Sequence, residues 1–322
     1  MVEHPKPKIV VSQCLGFKKC RYNGQIIPDD FVEKLGDFVE YTPVCPEEEI
    51  GLGTPRDPIR IGRKDDEIRM VQPASGDDIT EKMQNFTSDF LKDLEKVDGF
   101  LMKNRSPSCG INDVKIYHHL DQPTAADRGK GFFGGKLKEY FPGAAIEDEG
   151  RLKNFKIREH YLTKLFTNAR FRKININQKM KDLVKFHSNH KYLFLAYNEQ
   201  AMRACGKIVA NHEHKPEEEV FSAYQQKMQS IMEKPAKYTS NINTVHHIFG
   251  GISDQLSRDE KEFFLNSVEE YRDERIPLST LIHMLKSYAI RFDNEYLKNQ
   301  VFLEPYPKGL IEITDSGKGR NY

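Results

Sequence analysis

The sequence predicts two domains: an α/β domain with a parallel sheet over residues 1–155, and an all-α domain over residues 156–322. Three observations predict this. Short β-branched runs alternate with helical patterns as far as about residue 150, which is how crossover-connected parallel strands read. From about residue 155 onward only helical spacing recurs. The length of 322 residues fits about two ordinary domains.

The elements follow in order. Lys8–Ser12 is β-branched and reads as a strand. Asp29–Leu35, after Pro28, reads as a short helix, and Asp37–Val44 as a second strand. Residues 57–76 are rich in Pro, Gly and charge and read as a long loop, with a short hairpin at Ile59–Ile61 and Ile68–Val71. Over Asp77–Val97 the residues Ile79, Met83, Phe86, Phe90, Leu91 and Leu94 recur at helical spacing. Gly99–Lys103 reads as a strand that ends at a Ser-Pro-Ser-Cys-Gly turn. A glycine-rich loop, Gly129–Gly135, then leads into a helix at Lys136–Phe141 and a last strand at Ala144–Ile146. In the second half, Ser257-Arg258-Asp259-Glu260 has the form of a capping box. Pro277 suits the first position of a helix over Leu278–Leu297.

Composition narrows the function classes. Hydrophobic residues make up 38% and charged residues 30%, the balance of a globular protein with a charged surface. No run approaches the roughly 18 apolar residues of a membrane span. The N-terminus lacks a signal-peptide core. A cytoplasmic protein without membrane contact is expected, where thiols stay reduced. Residues 1–150 hold 21 Lys and Arg against 27 Asp and Glu, a net −6; residues 151–322 hold 28 against 21, a net +7. The densest basic stretch, 151–186, interleaves Phe155, Tyr161, Phe166, Phe171 and Phe186. Such a stripe is an electrostatic footprint for nucleic acid; a solvated helix face with its aromatics in the core gives the same pattern.

Cys14, Cys45 and Cys109 each follow a predicted strand and sit in a Pro- or Gly-marked turn. If those strands are neighbours in one parallel sheet, the thiols meet at its carboxyl edge, where open α/β sheets place ligands. Three soft thiolates suit an iron–sulfur cluster or zinc, and three rather than four leave one position open for chemistry. Buried cysteines also pack as small hydrophobes. Cys20 is a possible fourth ligand that would close the site; Cys205 reads as core. Gly129–Gly135 lacks the Lys-Ser/Thr ending of a P-loop. The His246-His247 and His187/His190 pairs have no third ligand in view.

Several motifs carry a resemblance: Val11-Ser12-Gln13-Cys14-Leu15 with Arg21-Tyr22-Asn23-Gly24, Cys45-Pro46-Glu47 with Pro55-Arg56, Lys103 to Gly110, and Glu147 to Leu152. Residues 8–155 resemble the thiouracil desulfidase (TudS-type) domain. The second half resembles the helical domain often fused to it, through His190-Lys191-Tyr192-Leu193, Cys205-Gly206-Lys207, His246 to Gly250 and Tyr296 to Gln300 with Pro305-Tyr306-Pro307. Fused proteins of this kind are tRNA 4-thiouridine desulfidases (RudS-like).

The resemblance implies that Cys14, Cys45 and Cys109 hold a 4Fe–4S cluster with one iron open to the thiocarbonyl sulfur of the substrate. It implies Glu47 as acid/base, with Ser106 and Lys103 as catalytic helpers. Ser12, Ser108, Arg21 and Arg56 are weaker substrate-binding candidates, and Cys20 is not needed. A departure is Glu48, an acid where the family usually has an aliphatic residue, which makes a run of three glutamates. The expected reaction is hydrolytic loss of sulfur from 4-thiouridine in tRNA, with Arg170, Arg172, Lys173, Lys179 and Lys181 contacting the RNA. Two alternatives stay open: a desulfidase of free thiouracil or thiouridine nucleotides, and a non-catalytic RNA-binding protein stabilised by a closed Fe–S or zinc site.

Overall fold

The structure is a computed structural model, and it describes residues 2–64, 67–120 and 126–312. The chain divides into two compact units, Lys6–Asn168 with Leu310–Tyr322, and Met1–Pro5 with Ala169–Gly309.

The first unit contains two sheets. Strands β1 (Lys8–Ser12), β2 (Glu40–Val44), β6 (Gly99–Met102) and β9 (Ala145–Asp148) form a parallel sheet in the order β2-β1-β6-β9. Ile9, Val10, Val11, Phe100, Leu101 and Met102 are all buried, the continuous apolar runs of strands covered on both faces. β2 is one of its two edge strands. It tolerates Pro43 there because an edge position does not need the missing N–H. Helix α1 (Asp30–Gly36) joins β1 to β2 and is capped by Asp29, whose carboxylate accepts from Val32 N at 3.0 Å. The short helix α2 (Pro46–Glu49) starts directly from Cys45 at the end of β2.

The second sheet has the order β5-β4-β3-β7-β8: β3 (Arg60–Lys64), β4 (Glu67–Gln72), β5 (Asp77–Asp78), β7 (Val114–Tyr117) and β8 (Ala126–Gly129). The hairpin expected in residues 57–76 is its β3–β4 pair; β7 and β8 carry no periodicity that announces them. Helix α3 (Thr80–Asp93) is shorter than its predicted span. Its Leu91 packs into the apolar core with Val10, Phe100 and Met102, its Met83 into that with Ile61 and Ile116, and its Phe86 touches both. Helix α4 (Leu137–Tyr140) follows a 3-10 turn at Gly134–Lys136.

Helix α5 (Phe155–Asn175) carries the chain from one unit into the other. The second unit continues with α6 (Met180–Tyr197), α7 (Glu199–Ala210), α8 (Glu217–Ile231), α9 (Tyr238–Gly250), α10 (Arg258–Arg272), α11 (Leu278–Arg291) and α12 (Glu295–Lys298). The capping box at Ser257 forms with both of its hydrogen bonds. The single helix expected over Leu278–Leu297 is broken. Asp293 takes a left-handed φ of 49°, and Asn294 caps α12 by accepting from Leu297 N; Asp and Asn favour such local backbone bonding over helix interiors. The core holds Phe171, Phe186, Phe194, Phe221, Tyr224, Phe249, Phe264 and Cys205. Phe249 and Phe264 stack with centroids 4.4 Å apart. Among the described residues no helix is long and apolar enough to cross a membrane.

Candidate functional site

The carboxyl ends of β1, β2 and β6 lie side by side because those strands are neighbours. Cys14 follows β1, Cys45 ends β2, and Cys109 follows β6 after one tight turn. Cys20 joins them: Cys45 Sγ donates to Cys20 O at 3.8 Å, and the Cys20 thiol is near enough to those of Cys14 and Cys45 to be shifted by them. The Cys20 and Cys45 sulfurs and a Glu48 carboxylate oxygen all lie within 4.8 Å of one another. Cys109 is near enough to feel the charges of Cys45 and Glu47. Cys20, Cys45 and Cys109 are buried and Cys14 is half-buried. Contact with Cys14, then burial, pushes the Cys20 thiol up to about 12, and burial pushes Cys109 up to about 12. The bond to Cys20 and burial raise Cys45 further. Three buried thiols and the half-buried Cys14, without an imidazole, form a soft donor set that a thiophilic metal fits, and such a metal would displace their protons.

The Cys109 turn is fixed from below. Ser106 Oγ accepts from Cys109 N at 3.1 Å, and the Ser12 and Ser108 hydroxyls reach the Cys109 sulfur, Ser108 at 3.7 Å. The glycine-rich loop is the cradle of this turn. Gly131 N donates to Gly110 O at 2.7 Å, and Phe133 N and Gly134 N both donate to Ser108 O at 3.0 Å. A Cβ on Gly134 would stand 2.2 Å from Cys109 O, and one on Gly131 2.4 Å from Ser108 O. These glycines exist for close backbone approach, a role that their spacing does not reveal.

Glu47 sits in the first turn of α2 and is held at both oxygens. Ser108 Oγ donates to Oε1 at 2.7 Å. Arg56 donates to Oε2 through Nε at 3.0 Å and again through Nη2. The Arg56 side chain is only 3% exposed. Its remaining N–H groups reach Gly53 O at 2.7 Å, Thr54 Oγ1 at 3.1 Å and Cys20 O at 3.0 Å. Arg56 thus ties Glu47 to the Cys20 turn, and its donors are used up within the protein. Arg21 is half-buried over the Tyr22 ring, 5.5 Å from its centroid. Glu48, with one oxygen near the Cys20 and Cys45 sulfurs, takes Lys18 Nζ at 2.9 Å and Thr54 Oγ1 at 3.0 Å. Lys103 N donates to Ser12 Oγ at 2.8 Å, while its ammonium pairs with Glu149 and Asn104. Glu149 also accepts from Asn104 N at 2.8 Å. It is the partner that makes Lys103 a fixed charge, and sequence reasoning gives it no role.

The basic stripe divides. Arg170 is 7% exposed and donates to Glu3 O, His4 Nδ1 and Pro305 O. It is an internal anchor, so the expectation that it contacts RNA is corrected: no phosphate can reach it. Arg158 is likewise buried, and so are Tyr161, Phe166, Phe171 and Phe186, which rules these aromatics out as stacking platforms. Lys173, Lys179 and Lys181 are exposed and Arg172 is half-buried; Lys173 pairs with Glu3 at 2.6 Å. The histidine pairs gather no metal-ligand set among the described residues. His190 Nδ1 lies 2.7 Å from Phe186 O, and His187 Nδ1 lies 3.1 Å from Tyr224 Oη.

Comparison with known proteins bears on this geometry. A family profile described as 2-thiouracil desulfurase matches residues 9–149. The uncharacterized protein YbbK of Bacillus subtilis is 35% identical over 109 residues, which is 32% of this chain and 72% of YbbK. The chain belongs to the 2-thiouracil desulfurase family. The matched stretch of this desulfurase contains all four clustered cysteines, Glu47, Arg56 and Glu149. Its second domain matches a profile described as a protein of unknown function, DUF1722, over residues 191–307. The uncharacterized protein YbgA of Escherichia coli is 24% identical over 136 residues, 42% of this chain and 80% of YbgA. Among solved structures, the [4Fe-4S]-dependent thiouracil desulfidase TudS is 29% identical and aligns with a TM-score of 0.36, covering 46% of this chain and 93% of that one.

Proposed function

We propose that this protein removes sulfur hydrolytically from a thiolated uracil base, using a 4Fe–4S cluster on Cys14, Cys45 and Cys109, and that its substrate is 4-thiouridine in tRNA. The observation that carries the reading is the juxtaposition of the clustered thiols with Glu47, a carboxylate held by Arg56 and by Ser108, whose hydroxyl also reaches the Cys109 sulfur. The donor set fits the cluster, being all sulfur and gathered at the edge where α/β sheets bind ligands. When bound, the cluster would supply a Lewis-acidic iron with a preference for sulfur over oxygen.

The conversion balances without redox: a thiocarbonyl and water give a carbonyl and hydrogen sulfide. A C=S bond is lost, a C=O bond is formed, and both protons of the water end on sulfide. Glu47 takes a proton from the water and returns it to the departing sulfur or a ring nitrogen. Arg56 and Ser108 fix its two oxygens, so that it meets the water in one orientation. Ser106, 3.0 Å from Ser108 Oγ, extends that hydrogen-bonded row to the Cys109 backbone. Lys103, pinned by Glu149, supplies a positive charge at the end of β6 where negative charge develops on the ring.

The tRNA assignment is supported by the +7 balance of residues 151–322 and by the exposed Lys179 and Lys181. The burial of Arg170 and of the interleaved aromatics favours a second reading, a desulfidase of free thiouracil or its nucleotides. Sulfide release from thiolated tRNA, free 4-thiouridine monophosphate and 2-thiouracil, compared at equal thio-base concentration, tests the choice. A kcat/KM for tRNA at least tenfold above the other two supports tRNA; equal or lower values overturn it in favour of the small molecule.

A further inference from the structure

Cys20 is placed as no spectator cysteine would need to be. It is fully buried, and its sulfur lies within 4.8 Å of that of Cys45, one of the three cysteines proposed to hold the cluster. Its sulfur, that of Cys45 and a Glu48 oxygen already have the mutual spacing of a metal-ligand set. Its main chain is clamped as well. Cys20 N donates to Lys18 O at 2.9 Å, and Cys20 O accepts from Arg56 Nη2 at 3.0 Å and from Cys45 Sγ at 3.8 Å. The guanidinium that orients Glu47 therefore also fixes the Cys20 turn. The Lys18–Glu48 pair ties the same turn to α2.

We propose that Cys20 is a displaceable fourth ligand: it occupies the position that Cys14, Cys45 and Cys109 leave open, and the sulfur of the thio-base replaces it. This inference rests on the desulfidase reading above. The exchange is a ligand substitution. With a cluster bound, the Cys20 sulfur would give up its place with its electron pair and take a proton from solvent, the substrate sulfur would donate a pair instead, and no electron would be transferred. Fully buried, Cys20 would shield the open iron of a bound cluster from oxygen and water until a thio-base replaced it.

The test uses the full-length protein reconstituted without oxygen, with Cys20→Ala and Cys20→Val, the second keeping the buried volume filled. Iron and acid-labile sulfide are measured, then the EPR spectrum of the reduced protein, the rate of iron loss in air, and the 2-thiouracil concentration that half-changes the absorbance. Removing a competing internal ligand lowers the apparent dissociation constant by the fraction of time that ligand was off. Both variants should keep the wild-type iron content, show an altered EPR spectrum, lose iron on the order of tenfold faster in air, and respond to 2-thiouracil at about tenfold lower concentration. Spectra, decay and 2-thiouracil response unchanged within about twofold would overturn the proposal. Complete loss of iron in both folded variants would also overturn it, since Cys20 would then be a permanent ligand. Wild-type protein that takes up no iron would instead refute the desulfidase reading beneath it.

Discussion

Replacing Arg56 with Met should inactivate the protein by releasing Glu47, even though Arg56 itself lies sealed behind it. The side chain is 3% exposed and makes two hydrogen bonds to Glu47 Oε2 and others to Gly53 O, Thr54 Oγ1 and Cys20 O. Breaking a buried ion pair from one side costs about 3–5 kcal/mol, because the partner charge stays buried. Glu47 retains some exposure, so the lower end, about 3 kcal/mol, applies to folding stability. Activity should fall by about 10²–10⁴-fold, the contribution of a general acid–base group, because Glu47 loses its fixed orientation. Denaturant unfolding reads the first quantity and sulfide release from 2-thiouracil the second. The decisive comparison is a double-mutant cycle with Glu47→Gln. If Arg56 acts through Glu47, adding Arg56→Met to Glu47→Gln costs little further activity. Two losses that multiply would refute the positioning role and assign Arg56 to the substrate.

The remaining expectations concern pH, RNA and the glycine cradle. Burial and the neighbouring Arg170 hold the His4 imidazole down to about 4. Its folded-state value is below that of the unfolded chain, so the folded state binds the proton less well, and stability is lost as pH falls from about 6.5 to about 4. His4→Gln should lose less stability than wild type over that window in thermal melts; parallel curves would remove His4 from the account. Charge reversal at Arg172, Lys173, Lys179 and Lys181 should flatten the salt dependence of tRNA binding by about 0.7–0.9 log units per lost phosphate contact. Arg170→Glu should unfold the helical unit instead, and an Arg170→Glu protein that is folded but weak for RNA would reverse both assignments. Gly134→Ala should abolish iron uptake, because its Cβ would stand 2.2 Å from Cys109 O; full iron content in that variant would show that the cradle yields.

What the sequence made legible was the strand-end geometry. Ile9-Val10-Val11 and Phe100-Leu101-Met102 are continuous apolar runs, so buried parallel strands follow from patterning, while the order β2-β1-β6 that brings the thiols to one edge comes from the structure. Of the second sheet only the β3–β4 hairpin was legible, because β7 and β8 are four residues each and β8, Ala126–Gly129, has no buried apolar side chain. The basic stripe misled for a different reason. Helix α5 is buried over much of its circumference, through Tyr161, Leu162, Leu165, Phe166 and Ala169, so its aromatics and Arg170 face inward where composition suggested a surface. The Arg56–Glu47 and Lys103–Glu149 pairs join residues 9 and 46 apart, and only the fold brings them together. Cys20, six residues from Cys14, read as a fourth ligand that the motifs do not require, and the turn places its sulfur within 4.8 Å of that of Cys45.

The most direct measurement is the fate of one oxygen atom. Protein reconstituted without oxygen is given 2-thiouracil or 4-thiouridine in ¹⁸O-labelled water, with no reductant. The account predicts one sulfide released for each uracil formed, with the label in the new carbonyl, and loss of that turnover in each of Cys14→Ser, Cys45→Ser and Cys109→Ser. Product without the label, a requirement for reductant, or undiminished turnover in the three cysteine variants would contradict it.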